Sequence, residues 1–339
     1  MNDQHATTDP HVLVVGGAGY VGSHTCMRLA EEGYRPVVYD DLSNGHAEFV
    51  RWGPFERGRL ADTDRLVAVI ERYRPIAVVH FAALIEVGES MRDPIAFYSN
   101  NVAGTISLLR AMERTGSNNL VFSSTCATYG EPVRVPMDET HPQRPLNPYG
   151  RTKLMVEQML ADAEELRGIR SVRLRYFNAA GADPEARIGE WHDPETHAIP
   201  IAIEVALGQR SHFSIFGSDY ETRDGTCVRD YVHVLDLADA HVRAVRHLLS
   251  GGEGAALNLG TGTGTSVREL LDTVTEVTGR TLNLVDAPRR EGDAPVLTAD
   301  NRQAFAVLGW KPRYGLRDIV RTAWNWHRAQ SARETSRAA

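Results

Sequence analysis

The segment Val14–Gly33, VVGGAGYVGSHTCMRLAEEG, decides the fold. Gly16, Gly19 and Gly22 follow a short β-branched run, and the residues after them continue as an amphipathic helix that ends at Gly33. Glycines at this spacing permit a tight turn and let backbone amides approach a pyrophosphate at the positive end of a helix. The segment therefore predicts a strand-turn-helix unit that binds a dinucleotide.

The next strand ends in a carboxylate. The run RPVVYD closes with Asp40, 18 residues after Gly22. A carboxylate at about this distance binds both hydroxyls of the adenosine ribose and repels the extra phosphate of NADP. The spacing therefore favours NAD, the alternative being that Asp40 is an ordinary turn residue at the end of a strand.

Short β-branched runs alternate with segments of helix length through the first half of the chain. The runs are HVLVVG, RPVVYD, IAVVHFAA, NLVFSST and SVRLRYFN. Continuous apolar runs are typical of buried strands in a parallel sheet, so we predict an α/β fold with a doubly wound, Rossmann-like sheet. The NAD-binding domain is predicted at residues 1–178, with residues 230–260 packing back on it. A smaller C-terminal α/β substrate domain is predicted at residues 179–339.

Composition excludes several other classes of protein. The chain has 339 residues, of which 42% are hydrophobic, and its net charge of −7 disfavours a nucleic-acid partner. Cys26, Cys126 and Cys227 are odd in number and far apart, which indicates reduced thiols and predicts no metal site. Neither end resembles a signal peptide, and the apolar runs are shorter than the ~20 residues that span a bilayer. We therefore expect a cytoplasmic protein with no membrane partner.

A tyrosine and a lysine stand four positions apart in LNPYGRTK, residues 146–153. Asn147 is a plausible N-cap and Pro148 suits a first helical turn, so Tyr149 and Lys153 are predicted on one helical face. A phenol ordinarily has a pKa near ~10, but a nearby ammonium and the positive ring of an oxidised nicotinamide both favour the phenolate. The pair therefore predicts a general base that acts near neutral pH.

A hydroxyl side chain ends another predicted strand, in FSSTCATYG at residues 122–130. Doubly wound folds present the carboxyl ends of their strands to the ligand crevice. We therefore place Thr125 between Tyr149 and a substrate oxygen, the alternative being a merely polar strand end.

A second glycine cluster, LGTGTGTSVREL at residues 259–270, has a structural interpretation. Ser266 and Glu269 have the S-x-x-E spacing of a capping box at the start of a helix. We therefore predict a helix cap here and no second phosphate-binding loop.

Together these motifs resemble the extended short-chain dehydrogenases/reductases, and among them the UDP-glucose (UDP-galactose) 4-epimerases. The resemblance runs from about residue 11 to about residue 328, through GGAGYVGSHT, HFAALIEVGES, NNVAGT, FSSTCATYGEP, NPYGRTKLMVE, LRYFNAAGADP, DGTCVRDYVHVLDLADAH and APRREGD. It implies NAD-dependent inversion at C4 of a UDP-hexose through a transient 4-keto sugar. It also implies a homodimer formed by helices of the first domain. Cys126 and Ala127 stand where a sugar-nucleotide dehydratase of this type carries acidic residues, so elimination chemistry is not expected.

The resemblance implies which residues hold each ligand. The NAD site is expected to comprise Gly16, Gly19, Tyr20, Val21, Gly22, Asp40, Asp41, Asn44, Phe81, Ala82, Ala83, Asn100, Tyr149, Lys153 and Phe177. The UDP-sugar site, in the second domain and at the cleft, is expected to comprise Thr125, Asn178, Phe216, Arg229, Arg290, Asp293 and Leu297. The arginines would act as charge-assisted clamps on phosphate, whereas the alternative for Arg290 and its neighbour Arg289 is a solvated basic pair.

Five positions depart from the common family pattern. Arg59 stands where many relatives have an aspartate near the adenine, which predicts weaker retention of NAD. Ile85 replaces a lysine often found beside the cofactor, Val15 replaces a threonine before the glycines, and His197 lies where some relatives have an asparagine that faces the nucleotide. Leu297 stands where epimerases restricted to glucose and galactose tend to have a tyrosine that walls the pocket at C2. The smaller residue predicts some turnover of UDP-N-acetylglucosamine.

Rival interpretations of the same motifs remain open. Epimerases of UDP-pentoses, UDP-uronates or UDP-N-acetylhexosamines would use the same catalytic groups. A net dehydrogenase or reductase would need a second substrate. A non-catalytic NAD-binding sensor or scaffold of this fold would have no need of Tyr149 and Lys153, both of which are present.

Overall fold

The computed structural model of the protein describes residues 9–290 and 292–338. Its strands are β1 His11–Val15, β2 Arg35–Asp40, β3 Phe55–Arg57, β4 Ala77–His80, β5 Asn119–Thr125, β6 Arg170–Tyr176, β7 Asn178–Ala180, β8 Phe213–Phe216, β9 Val228–Arg229, β10 Tyr231–His233, β11 Ala255–Leu259, β12 Thr265–Ser266, β13 Leu284–Ala287 and β14 Val296–Leu297. Its α-helices are α1 Tyr20–Glu31, α2 Thr63–Tyr73, α3 Val87–Arg92, α4 Pro94–Phe97, α5 Gly104–Thr115, α6 Pro148–Arg167, α7 Ala198–Ala206, α8 Val234–Leu249, α9 Val267–Thr278, α10 Arg302–Leu308 and α11 Leu316–Ala338. A π-helical segment, Tyr98–Ala103, joins α4 to α5.

A seven-stranded sheet dominates the first half of the chain, in the order β11-β6-β5-β4-β1-β2-β3. Every neighbouring pair of strands in it is parallel. The order reverses between β1 and β4, and ligands of doubly wound sheets bind outside the carboxyl ends of the strands at such a point. The predicted Rossmann-like sheet is therefore confirmed, and the topology marks the place of the site.

Helices cover both faces of this sheet because its strands are apolar on both sides. Along β1, Val12 and Val14 pack into one core cluster, with α1 and α8, while Leu13 and Val15 pack into the other, with α2, α5 and α6. This alternation follows from the two-residue period of a strand. The two cores hold the carboxyl ends of the strands in fixed positions around the cleft.

The second half of the chain contributes to both parts of the molecule. Strand β11 joins the main sheet beside β6, and α8 packs on α1. Helices α7, α9 and α11 surround a separate apolar cluster with β8 and β10. The division into domains at residues 178 and 179 stays a prediction, and residues 1–8 and 339 of the predicted ranges lie outside the described residues.

Local signals set the ends of two helices. The Asn147 side chain caps α6 by accepting a hydrogen bond from the Gly150 N–H at 2.8 Å, and Pro148 occupies the first turn. Ser266 and Glu269 form a reciprocal capping box at the start of α9, so the structural interpretation of the second glycine cluster is confirmed. Within the described ranges, each helix is too short or too polar to pass through a bilayer.

Candidate active site

A cleft of about 420 Å³ opens at the carboxyl ends of β1, β4 and β5, beside the start of α1. Every residue that the sequence assigned to NAD lines it: Gly16, Gly19, Tyr20, Val21, Gly22, Asp40, Asp41, Asn44, Phe81, Ala82, Ala83, Asn100, Tyr149, Lys153 and Phe177. Two of the predicted substrate residues, Thr125 and Asn178, line the same cleft. The other five, Phe216, Arg229, Arg290, Asp293 and Leu297, do not line it.

The glycine turn is built so closely that side chains are excluded. Gly16 has φ of +83°, and a Cβ on it would lie 2.4 Å from the Ala82 nitrogen. A Cβ on Gly22 would lie 2.2 Å from the Gly16 carbonyl oxygen. Gly19 is the N-cap of α1 and supplies no side chain to the first-turn N–H groups. The turn therefore fits a pyrophosphate, because a phosphate can approach the backbone and the positive helix end.

Asp40 offers a carboxylate at the far end of the cleft. One of its oxygens accepts the Ala18 N–H at 3.0 Å, and the other accepts the Leu42 N–H at 2.9 Å. Each oxygen keeps a second lone pair, so the carboxylate can still accept two hydroxyl hydrogens. Burial raises the pKa of Asp40 above its ordinary value, and the backbone hydrogen bonds offset part of that rise. The geometry suits a ribose diol.

Tyr149 and Lys153 lie on the same face of α6, and both line the cleft together with Thr125. The Lys153 ammonium is buried and donates a hydrogen bond to the Ser123 carbonyl at 2.8 Å. It also lies 4.8 Å from the centre of the Phe122 ring. The ammonium is therefore fixed in place by the end of β5, beside the predicted general base.

Burial is the main influence on the pKa values of Tyr149 and Lys153 in the protein without its cofactor. Burial raises the pKa of Tyr149 to about 12, although a hydrogen bond with Thr125 offsets part of the rise. Burial also lowers the pKa of Lys153 to about 7, with Glu157 acting in the opposite direction. Ionisation of Tyr149 near neutral pH, which was expected from the lysine and an oxidised nicotinamide together, therefore stays a prediction for the protein with its cofactor bound.

Replacement of Lys153 by methionine is expected to change how stability depends on pH. Since the pKa of Lys153 is about 7 in the folded protein and 10.5 ordinarily, only the unfolded chain holds this proton between those values. The contribution of Lys153 to the free energy of unfolding therefore rises with pH across that range, by up to about 1.4 kcal/mol per pH unit. Urea unfolding of cofactor-free wild type and Lys153→Met at pH 7 and pH 9 measures the difference. The free energy of unfolding of the wild type, relative to that of Lys153→Met, should be larger at pH 9 than at pH 7. The same difference at both pH values would contradict the shifted pKa.

The five remaining substrate residues lie together near the cleft. The Arg290 guanidinium lies 3.8 Å from the centre of the Phe216 ring. Arg229 pairs with Asp293 at 3.3 Å, and Leu297 is opposite Arg229 in the β9-β14 pair. Burial raises the pKa of Cys126, a residue that lines the cleft, to about 12, and the charge of Arg229 offsets part of that rise. Arg229 and Leu297 therefore adjoin the cleft. The Asp293 N–H donates to the Arg290 carbonyl at 3.3 Å, which links them to the second arginine and its stacking ring, groups that suit a diphosphate and a base.

Sequence reasoning assigned no role to some residues of the cleft. Trp191 and His46 line it, and their rings stack with centres 4.1 Å apart. Tyr176 also lines it and hydrogen-bonds to Ser123. Trp191 belongs to an irregular loop, which has no periodicity to reveal its position. For Tyr176, the sequence signal that could have indicated the cleft was its position near the end of the predicted strand SVRLRYFN.

Ile85 and Arg59, which differ from the common family pattern near the expected cofactor, lie in different positions relative to the cleft. Ile85 lines the cleft with an exposed side chain. The Arg59 side chain is exposed and does not line the cleft, although the Arg59 carbonyl accepts a hydrogen bond from the Tyr39 hydroxyl. Weaker retention of NAD because of Arg59 therefore stays a prediction, and the position of its side chain does not support it.

A tyrosine and a buried lysine beside a glycine-turn cleft define a dinucleotide-binding enzyme of the short-chain dehydrogenase/reductase class. Comparison with known proteins agrees with that class. The chain belongs to the NAD dependent epimerase/dehydratase family, whose model matches residues 12–260. The resemblance seen in the sequence is thereby confirmed.

Individual relatives are similar over nearly their whole length. The UDP-glucose 4-epimerase of Rhizobium leguminosarum bv. trifolii is 65% identical over 316 residues, which cover 93% of this chain and 97% of the relative. The crystal structure of UDP-glucose 4-epimerase from Brucella ovis in complex with NAD is 54% identical, with a TM-score of 0.92 and coverage of 93% and 98%. The UDP-glucose-4-epimerase of Stenotrophomonas maltophila, solved with NAD and formylated UDP-arabinopyranose, is 42% identical, with a TM-score of 0.93 and coverage of 97% and 100%.

Proposed function

We propose that the protein is an NAD-dependent epimerase that interconverts UDP-galactose and UDP-glucose through a transient 4-keto sugar. The observation that carries the proposal is that Tyr149 and Lys153 line the same cleft as the glycine turn at Gly16. Relatives at 65% and 54% identity are UDP-glucose 4-epimerases, which supports the same reaction here. The protein is accordingly an isomerase.

The cofactor proposed is NAD. The close backbone at Gly16 and Gly22 fits its pyrophosphate, and the free lone pairs of Asp40 fit its ribose hydroxyls. Asp41 also lines this end of the cleft, and two carboxylates would repel the additional phosphate of NADP. When bound, NAD supplies a hydride acceptor and returns the hydride to the substrate.

Tyr149 is the proposed proton acceptor. Its phenolate would take the proton of the sugar 4-hydroxyl as the C4 hydrogen leaves, and would return that proton after the keto group has turned. Thr125 hydrogen-bonds to Tyr149 and would keep the phenol oriented toward the substrate. Lys153, held by the Ser123 carbonyl, would stabilise the phenolate by its charge once the cofactor excludes water.

The proposed UDP grip comes from residues beside the cleft. Arg229 and Arg290 would bind the diphosphate, Phe216 would contact the uracil ring, and Asp293 would hold Arg229 in place. The 4-keto sugar must turn about its bond to the diphosphate, so that hydride reaches the opposite face. Strong contacts to UDP and few fixed contacts to the hexose meet both needs.

The test is incubation of the purified protein with UDP-galactose, without added cofactor, while UDP-glucose is followed by chromatography. The proposal predicts conversion to an equilibrium mixture with no stoichiometric reduced cofactor, because the cofactor is regenerated in each turnover. Stoichiometric accumulation of reduced cofactor with an oxidised sugar would indicate a dehydrogenase. No product from any UDP-hexose, UDP-pentose or UDP-uronate would favour a non-catalytic NAD-binding protein.

Leu297→Tyr is expected to narrow the substrate range. Leu297 packs beside Cys126 and Phe177 at the edge of the cleft, and the larger ring would fill space next to the sugar. Overpacking costs typically about 1–3 kcal/mol, which is about 10–100-fold in turnover of UDP-N-acetylglucosamine. UDP-galactose turnover is expected to change by only a few-fold. Measurement of kcat/KM for both substrates checks this; no turnover of UDP-N-acetylglucosamine by the wild type, with good turnover of UDP-galactose, would contradict it.

Two further proposals concern the state of the protein. Exposed apolar side chains on α3, α4, α5 and α6, among them Met91, Ile95 and Ile106, support a homodimer through helices of the first half. Light scattering of the purified chain tests this proposal, and a monomer mass would oppose it.

A cytoplasmic location is supported by the free thiols of Cys26, Cys126 and Cys227, since a reducing compartment keeps thiols reduced.

A further inference from the structure

Four potential metal ligands converge in the loop between β7 and α7. Glu190, His192, Glu195 and His197 each offer one ligand atom, and these atoms all lie within 4.8 Å of one another. Glu190, His192 and His197 also line the cleft, whereas Glu195 does not. No metal site was expected from the sequence, because its three cysteines are odd in number and far apart.

The nitrogen–oxygen distances within this cluster are close to those between the ligands of a tetrahedral site. The His197 Nδ1 atom lies 3.0 Å from a carboxylate oxygen of Glu190 and 3.0 Å from one of Glu195. The His192 Nδ1 atom lies 3.5 Å from Glu190 and 3.7 Å from Glu195. Zinc bonds of about 2.0–2.1 Å to nitrogen and oxygen place tetrahedral ligands roughly 3.3 Å apart. The four nitrogen–oxygen distances lie on either side of that value, and Glu195 faces the two histidines through different carboxylate oxygens.

Hydrogen bonding alone leaves this cluster incomplete. His192 Nδ1 is buried and has no hydrogen-bond partner among the described residues, although two carboxylates face it. The side chains of Glu190 and Glu195 are only 6% and 5% exposed. Buried carboxylates need compensating charge, and a buried ring nitrogen needs a partner. A cation between the four atoms would satisfy both requirements at once.

Supporting contacts orient one of the ligands. One oxygen of Glu195 accepts the backbone N–H groups of Thr196 and His197 at 2.7 and 2.8 Å. Such hydrogen bonds fix the direction of a coordinating carboxylate and strengthen metal sites. The His197 side chain is 45% exposed, which leaves a path by which an ion enters.

We propose that Glu190, His192, Glu195 and His197 form a four-coordinate zinc site in the wall of the cleft. Two carboxylates and two neutral imidazoles balance the charge of one divalent ion, and nitrogen and oxygen ligands suit zinc. Because four protein ligands fill the coordination sphere, the ion is structural. It fixes the loop that carries Trp191, whose ring stacks on His46 at the cleft.

The test uses the full-length, tag-free chain after treatment with a chelator. Titration with Zn²⁺ against a chromophoric chelator is expected to show one site per chain. The double variant His192→Gln/His197→Gln is expected to bind Zn²⁺ at least 100-fold more weakly than the wild type. Loss of a residue that only supports a ligand costs about 10–100-fold, so a larger loss indicates that the histidines are ligands themselves. His212→Gln is the matched control, because it removes an exposed histidine outside the cluster, one that hydrogen-bonds to Ser211, and should leave zinc binding unchanged.

A second readout keeps the test decisive if the double variant does not fold. Co²⁺ bound to the wild type is expected to give the intense visible absorption of a tetrahedral site, and Zn²⁺ should displace it. Absence of a site in the wild type, unchanged binding in a folded double variant, or an octahedral Co²⁺ spectrum would each overturn the proposal. In those cases the cluster is a set of ion pairs. None of these outcomes depends on epimerase activity, so the proposed function is tested separately.

Discussion

Replacement of Tyr149 by phenylalanine is expected to lower UDP-galactose turnover by about 10²–10⁴-fold, the usual contribution of a general acid–base group. The change removes one hydroxyl and keeps the ring, so the shape of the cleft and its NAD content should be preserved. The relevant measurement is kcat for UDP-glucose formation, with the amount of NAD per chain determined on the same preparation. A loss in kcat at unchanged NAD content would locate the defect in the chemical step.

Tyr176→Phe is the matched control for this variant. It removes the same hydroxyl from another tyrosine of the same cleft, one that is hydrogen-bonded to Ser123. We expect it to lower kcat far less than Tyr149→Phe. Equal losses in the two variants would mean that general polarity of the cleft, and no single proton acceptor, accounts for the rate.

Gly22→Ala is expected to weaken the binding of NAD strongly. The added Cβ would lie 2.2 Å from the Gly16 carbonyl oxygen and 3.0 Å from the Gly17 Cα, and neither is a flexible side chain. The backbone of the turn must therefore move away from the position that fits a pyrophosphate. Overpacking of this kind costs about 1–3 kcal/mol, so NAD affinity is expected to fall about 10–100-fold. Calorimetric titration of cofactor-free protein with NAD measures this change.

Gly88→Ala separates a steric effect on the turn from a general effect of adding a methyl group. A Cβ on Gly88 meets nothing within 4 Å, and the residue lies in α3. Because alanine favours a helix over glycine, this variant should keep NAD affinity and lose no stability. Equal NAD affinity in Gly22→Ala and the wild type would show that the turn does not hold the pyrophosphate.

Local patterns predicted the parts of the structure that depend on neighbouring residues. The apolar runs predicted the strands of the parallel sheet, and Asn147 with Pro148 predicted the start of the helix that carries Tyr149. The spacing of the glycines predicted a turn at the head of the sheet. In each case the physical determinant lies within a few residues of the chain, so its signature is readable without the fold.

Features that depend on distant packing were not predictable in the same way. The raised pKa of Tyr149 and the lowered pKa of Lys153 come from burial by several elements, which no spacing in the sequence measures. Trp191 reaches the cleft through an irregular loop. The contact of Arg290 with Phe216 joins two distant segments, and only the resemblance to a family placed both residues at one ligand.

In the proposed reaction, one carbon of the sugar gives up a hydride and receives the same hydride back on its opposite face. Epimerisation of UDP-galactose that carries deuterium at C4, followed by mass spectrometry and NMR of the UDP-glucose formed, tests this step. Return of the hydride predicts that deuterium stays at C4 and that none enters the solvent. Replacement of deuterium by solvent hydrogen would contradict it, because that result requires proton removal from the carbon and no hydride transfer.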